Sequence, residues 1–423
     1  MLQPERENTM SHPQRQTGGA PPSPSQIPPA PLSSEVLERF RAGASERDAA
    51  RLLPRAEIDE LKALRFGARR LPRAIGGGGA TIREVIAELI ALAEADPNIA
   101  HIWRNHVMLN ERLGLAPTTH PRLLALRPQL ARGDLLSLAA TELNRPQTGG
   151  DTSFSSLFRR EGNHFRLSGR KFYSTGVLYA DWILVSGSFE EGTNTSAIIP
   201  ADRAGLEIVD DWSGMGQRLT GTGTTVFHDI RVEPEEIIPR DATPEEALPL
   251  SSTLAQLVLT AVIAGIVESI AQDAAKLLAS RKRTYYFAPA ELAAEDPILL
   301  QALGEREAAA FGARAAVLAA AEVLDRAAHA IATGAAIDEQ AEATQEAAAA
   351  AAKAKIVVDR IAHAAGSAIF DVAGASSTLR EKNLDRHWRN LRTISSHNPA
   401  SYKAYALGNR RLNGVPLPRL GFF

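Results

Sequence analysis

The chain contains no cysteine. That excludes disulfides, thiolate nucleophiles, iron–sulfur clusters and cysteine-built zinc sites, and it favours a cytoplasmic protein. A surplus of charge of either sign is missing too. The formal net charge is -2, with acidic and basic residues interspersed, so the electrostatic footprint of a nucleic-acid or membrane binder is not there. Long apolar runs are also lacking: the longest uncharged one, Leu257 to Val267 between Gln256 and Glu268, falls short of the roughly 20 residues a bilayer span requires. It reads as the core of a buried helix. No strand-associated Gly-x-Gly-x-x-Gly fingerprint for a nicotinamide dinucleotide is visible, and no histidines and carboxylates stand at metal-ligand spacing. What is present is 423 residues with 44% hydrophobic content, enough for two or three domains with real cores. The partners to expect are small molecules and copies of the chain itself.

The pattern along the chain predicts an α+β protein, mostly α. Residues 1–32 carry Pro21, Pro22, Pro24, Pro28, Pro29 and Pro31 among Ser, Gln and Gly and read as a disordered leader with no signal-peptide core. Across residues 33–134, Leu37 and Phe40, then Ile58, Leu61 and Leu64, then Ile82, Val85, Ile86, Leu89 and Ile90 recur at helical spacing. The glycine run Gly76-Gly77-Gly78-Gly79 lacks the strand, the Lys and the Ser/Thr of a phosphate loop and reads as a flexible turn before a helix. Residues 135–245 turn to short strands: Asp181 to Ser186, Thr195 to Ile199, Thr224 to Phe227, Ile230 to Val232, and a hairpin turning at Glu161-Gly162-Asn163. Their density predicts a compact β-barrel or sandwich. In residues 246–423 long Ala- and Leu-rich stretches, 253–280, 298–333 and 337–370, predict an antiparallel helical bundle whose small faces suit an oligomer.

Motifs across this frame resemble the acyl-CoA dehydrogenase superfamily. They are Leu138-Ala139-Ala140-Thr141-Glu142 followed by Thr148-Gly149-Gly150-Asp151, and Gly169-Arg170-Lys171-Phe172-Tyr173-Ser174-Thr175-Gly176. Toward the C-terminus, Asp385-Arg386-His387-Trp388-Arg389-Asn390, His397-Asn398-Pro399 and Leu412-Asn413-Gly414 are similar to one branch of it, the flavin monooxygenases of the dibenzothiophene and sulfone monooxygenase type, related to amine hydroxylases and nitrososynthases. True dehydrogenases carry near this place a Glu that removes the substrate α-proton. Here Ile394-Ser395-Ser396-His397 offers no carboxylate.

The resemblance implies a fold of N-terminal helical domain, central β-barrel and C-terminal four-helix bundle. It implies a two-component enzyme that takes reduced FMN, with FAD as second choice, from a separate NAD(P)H:flavin reductase. With O2 it forms a C4a-hydroperoxide and oxygenates a small molecule at sulfur or nitrogen. It also implies a homotetramer. Two rival readings are thioester desaturation and a non-catalytic assembly protein that keeps the fold.

The same resemblance assigns Thr141, Tyr173, Ser174, Thr175, Trp212 and Thr222 to the flavin, although aromatics and Thr favour strands and a lone Trp is often core. It sends Arg281 or Arg283 across a dimer to a flavin phosphate, a task suited to guanidinium forks; the plainer alternative is cations complementing a helix C-terminus. Gly374, Ala375 and Ser376 would complete the phosphate and ribose site. His101 and Asn105, one helical turn apart, and Leu138 fall at pocket positions, Asn105 where relatives place an aromatic and Leu138 where they can place an amide. His397 and His101, with Thr175, are the catalytic candidates, since imidazole titrates near neutrality; outside the motif either histidine would be an ordinary satisfied polar residue.

Overall fold

The computed structural model describes residues 28–143, 154–372, 374–419 and 423. Its N-terminal part is helical: α1 (Ser34–Ala50), α2 (Arg55–Ala63), α3 (Ile82–Ala95), α4 (Pro97–Ile102), α5 (Arg104–Leu109) and α6 (Pro121–Ala131). Local chemistry sets the starts. Ser33 caps α1, Thr81 and Glu84 form a capping box on α3, and Asp96 caps α4 with Pro97 at its first position. The leader expected over residues 1–32 lies outside the described residues up to 27. Beyond that the chain is already docked: the Pro29 carbonyl accepts from Arg69 Nη1 at 2.8 Å and Leu32 packs on the core.

The glycine run is a turn, but a tightly packed one. The amides of Gly77, Gly78 and Gly79 donate to the carbonyls of Pro72, Ala68 and Leu71, and a Cβ on Gly77 would stand 2.1 Å from the Leu71 oxygen. The expected flexibility is lost because the glycines permit backbone to pack on backbone. With those amides occupied, none is left to cradle a phosphate.

The middle of the chain supplies β1 (Leu136–Ala139), β2 (Leu157–Glu161), β3 (His164–Lys171), β4 (Trp182–Phe189), β5 (Asn194–Pro200), β6 (Leu206–Val209), β7 (Thr224–Val232) and β8 (Ile237–Ile238). They pair in the order β6-β7-β3-β2-β4-β5-β8, with β1 parallel to β4. Ala139, Phe158, Leu167, Val185, Ile199 and Phe227 from six of these strands share one core, so the sheet curls round itself like a barrel. The two strand segments expected around residues 224–232 are one strand, kinked where the pairing shifts between Leu167 and Gly169 and where Asp229 adopts φ 51.

The C-terminal part is α7 (Ala247–Ser280), α8 (Pro297–Ala332), α9 (Ile337–Ala368), α10 (Asp385–Ser395) and α11 (Ala400–Asn413). Helix α7 is apolar on every side, and α3, α4, α5, α8, α9 and α10 all pack against it. Among the described residues it is the one helix long and apolar enough to cross a membrane, yet 94% of its apolar window is buried inside the fold.

Close approach of α3 to α7 rests on Gly265, where a Cβ would meet the Ile90 oxygen at 2.5 Å and Ala93 Cβ at 2.6 Å. Ala is favoured over Gly by about 1 kcal/mol inside a helix, but overpacking costs about 1–3 kcal/mol. Gly265→Ala should therefore lower the thermal midpoint, whereas the exposed Gly304→Ala, which meets nothing within 4 Å, should raise it; differential scanning calorimetry of the pair checks the sign.

Candidate functional site

A buried ion pair anchors the sheet side of the site. Glu142 Oε1 accepts from Lys171 Nζ at 2.5 Å and from Ser156 Oγ at 2.8 Å, while Oε2 accepts from the Ser155 amide at 2.7 Å and hydroxyl at 2.6 Å. Lys171 is wholly buried over the Phe154 ring. Burial works against the Glu142 charge, but these hydrogen bonds hold its carboxyl down at about 2. Glu142 and Lys171, one from each of two matched motifs, thus fix β3 against the loop carrying Ser155 and Ser156. The Thr148–Asp151 turn of the same motif lies outside the described residues.

Past Lys171 the chain leaves the sheet. The Phe172 amide donates to the Thr141 carbonyl at 2.8 Å, and Tyr173 adopts φ 54, a region non-glycine residues rarely occupy. The kink leaves the Tyr173 ring 55% exposed and edge-on to Trp212, with centroids 6.0 Å apart. Trp212 Nε1 donates to the Gly216 carbonyl at 3.2 Å. Ser174 is buried, and its hydroxyl has no partner among the described residues.

Thr175 begins a hydroxyl chain whose proton order can be worked out. Thr220 Oγ1 donates to the Gln217 carbonyl at 3.0 Å, so it must accept from Thr222, which in turn must accept from Thr175, each at 2.8 Å. A hydroxyl has one proton. Thr175 Oγ1 is therefore left as an acceptor only.

The helical wall comes from α4 and α5. The single helical stretch expected through His101 and Asn105 is interrupted at Trp103, whose backbone turns between the two short helices, but both side chains still reach the β side. Asn105 Nδ2 donates to the Thr175 carbonyl at 2.9 Å. His101 Nδ1 lies 2.8 Å from Gln217 Oε1, while Gln217 Nε2 donates to Asn390 Oδ1 at 3.2 Å. The amide oxygen must then accept, so His101 carries its proton on Nδ1 and presents Nε2 as an acceptor. Burial, reinforced by the Arg104 charge, pushes its pKa down to about 4 and keeps it neutral.

His397 sits in the turn between α10 and α11. It is an exposed residue, yet the protein packed around it still desolvates its imidazole. Two consecutive residues of α7 bring the walls together: the Ala255 carbonyl accepts from Arg104 Nε at 3.3 Å, and Gln256 Oε1 from Asn398 Nδ2 at 2.6 Å. Enclosure by protein, then the charges of Arg104, His101, Lys355 and Lys403, drive the His397 pKa well below that of a free imidazole.

Leu138 is not gathered with this group. Strand alternation turns Ser137, whose Oγ donates to the Thr175 carbonyl at 2.7 Å, to one face and Leu138 to the other, against the cluster of Leu109, Leu126 and Leu184. The arginines form a second locus. Arg281 ends α7, donates to the carbonyls of Val372 at 3.1 Å and Arg283 at 2.9 Å, and stands over the Tyr285 ring. Gly374, φ 67, faces it, with Ala375 and Ser376 in the following turn, while Arg283 is exposed.

The fold and the sequence both have counterparts among known proteins. Residues 257–402 match the family model described as "Acyl-CoA dehydrogenase, C-terminal domain". The chain is 30% identical to dibenzothiophene monooxygenase of Rhodococcus qingshengii over 402 residues, 92% of this chain and 94% of that protein. The chain belongs to the flavin-dependent monooxygenase branch of the acyl-CoA dehydrogenase superfamily. A probable FMNH2-dependent monooxygenase, SfnC, of Pseudomonas putida is 29% identical over 92% of this chain and 97% of its own length. The structure of methanesulfinate monooxygenase MsuC from Pseudomonas fluorescens superposes with a TM-score of 0.82 at 30% identity, covering 93% of this chain and all of that one.

For a flavin monooxygenase, the residues that sequence reading passed over are instructive. Gln217, Asn390, Arg104 and Thr220 join the site through contacts 116 and 173 positions apart in two cases, a separation no local pattern reports. Asn390 does lie in the motif Asp385 to Asn390, and Arg104 stands between His101 and Asn105. The proton order predicts that Gln217→Glu, by setting a carboxylate on Nδ1–H, raises the His101 pKa from about 4 toward neutrality, because an adjacent negative charge favours the imidazolium. Nitrogen-15 NMR titration should show His101 neutral with the proton on Nδ1 in the wild type, and charged at mildly acid pH in the variant.

Proposed function

We propose that the cleft between Tyr173, Thr175 and Trp212 on one side and His101, Asn105 and His397 on the other holds reduced FMN and oxygenates a small organic substrate at sulfur or nitrogen. The observation that carries this reading is the acceptor-only Thr175 hydroxyl beside the buried, unpartnered Ser174 hydroxyl, the exposed Tyr173 ring and the accessible His397. Such a surface fits the edge and face of a reduced isoalloxazine, which brings N–H donors and a flat ring. FAD is the second choice. Bound reduced flavin supplies the electrons that activate O2. The chain's own residues orient the ring through Thr175 and Tyr173, limit water through the packed α4–α5 wall, and hydrogen-bond the departing oxygen through the His397 imidazole. Desaturation of a thioester would need a carboxylate base, and the α10–α11 turn supplies a histidine instead.

The flavin comes from a separate reductase in the cytoplasm, and the enzyme works as a homotetramer. Supporting the assembly, Arg281 and Gly374 lie about 39 Å along α7 from Ala255 at a rise of 1.5 Å per residue, too far to serve the phosphate of a flavin beside His397 of the same protomer. Next to Arg281, the Tyr286 and Phe287 rings are 99% and 70% exposed, an aromatic surface that suits a partner. SfnC is named as FMNH2-dependent, in keeping with an outside supply of reduced flavin.

Purified protein should consume O2 only when reduced flavin is supplied; rapid anaerobic flavin reduction by an acyl-CoA would overturn the reading. His397→Ala should keep FMN affinity and melting temperature while product falls about 10²–10⁴-fold and hydrogen peroxide rises. Replacing Arg281 by Ala should weaken FMN binding by about 1.5–3 kcal/mol without unfolding the chain, measured by fluorescence titration beside light scattering of the oligomer.

A further inference from the structure

Interior arginines of this protein are mostly paired with carboxylates: Arg47 with Asp96 and Glu57, Arg69 with Glu88, Arg70 with Glu111, Arg389 with Asp48. Arg104 is not. Its guanidinium makes two long bonds to neutral oxygens, Ala255 O and Asn105 Oδ1, each 3.3 Å, and no carboxylate among the described residues lies within ion-pair distance. Arg112 and Arg127 share that lack, but Arg104 is the one that stands beside the histidines, its charge lowering the pKa of both His101 and His397.

A guanidinium enclosed by protein without a counter-charge is costly to maintain. Arg104 is half-buried rather than sealed in the core, and its partners Asn105 and Ala255 set it beside Gln256, which holds Asn398 next to His397. Three fixed cations, Arg104, Lys355 and Lys403, act on His397, with His101 adding to them whenever it is protonated. The carboxylate of this neighbourhood, Asp359, is tied to Lys355 at 2.8 Å. The neighbourhood of His101 and His397 is therefore rich in positive charge, and a planar guanidinium fork there suits two oxygens of one anionic group.

We propose that the substrate is a small organic anion, a sulfinate, sulfonate or carboxylate, and that Arg104 is the residue that binds its charged head. This rests on the monooxygenase reading of the same cleft and names the substrate class within it. Asn105, bonded to the Thr175 carbonyl and to Arg104, fixes the fork relative to the flavin-facing strand end. A neutral fused aromatic would leave the guanidinium desolvated and uncompensated, which disfavours it by the same physics that favours the anion.

The test uses the FMN-loaded full chain and two probes of nearly the same shape, methanesulfinate and dimethyl sulfoxide, in equilibrium binding. The anion should bind at least tenfold more tightly, Arg104→Gln should remove at least tenfold of that preference, and Arg104→Lys should retain part of it, with FMN affinity and thermal midpoint unchanged. Equal binding of the probes, no binding of either, or an undiminished preference in Arg104→Gln overturns the proposal. So does a loss of FMN affinity with the preference intact, which would assign Arg104 to the flavin. If Arg104→Gln does not fold, the wild-type comparison and Arg104→Lys decide. Product analysis separates the two readings: anion preference without any oxygenated product removes the monooxygenase reading and leaves the anion site, while oxygenation confined to neutral substrates, undisturbed in Arg104→Gln, does the reverse.

Discussion

Helix α7 is buried around its whole circumference from Thr253 to Val267, and that one constraint organises the molecule. An amphipathic helix needs one covering layer, but a helix with no polar face must be enclosed. Six other helices, drawn from both ends of the chain, do this, and Gly265 lets α3 approach to backbone contact. The placing of the proposed site is a consequence. Because α5 and the α10–α11 turn both dock on the same turn of α7, the carbonyl of Ala255 and the side chain of Gln256 hold Arg104 and Asn398 in adjacent positions. Residues nearly three hundred positions apart in sequence meet there because each half buries its own apolar face on the same helix.

On the sheet side the organising element is polar. Removing one partner of a buried ion pair leaves an uncompensated charge, a loss of about 3–5 kcal/mol, so Glu142 and Lys171 hold β3 and the 154–156 loop in one arrangement. The kink at Tyr173 and the threonine chain follow directly from where β3 ends. Proton counting then gives the site its character. Thr175 Oγ1 and His101 Nε2 are both acceptors, each because the next group along has already committed its own proton or lone pair. Such groups are set before substrate arrives and need no reorganisation during reaction.

On the proposed reading, what sets this chain apart from a dehydrogenase is the charge at one turn. A dehydrogenase needs a carboxylate base. Here that neighbourhood is a histidine set among Arg104, Lys355 and Lys403, a field that would hold an anion and would oppose proton removal from carbon by a neutral base. Fold and function are thus separable: helices and sheet supply the cleft, and a few side chains decide its use.

Element type and order were legible in the sequence wherever a pattern ran long enough: the spacing of Ile82, Val85, Ile86 and Leu89, the short apolar run Trp182 to Val185, and the uninterrupted Ala- and Leu-rich stretches each reflect local burial, which the pattern of apolar residues reports directly. The motifs around Lys171 and His397 carried the family. Tertiary structure alone decided what those motif residues do. It showed that Glu142 and Lys171 pair with each other, that Leu138 points to the face opposite Ser137, that the glycine run is packed rather than loose, and that Gln217 and Asn390 fix the proton on His101. These are matters of which side chains meet across hundreds of residues and which proton each hydrogen bond uses, and a linear pattern of residue types carries neither.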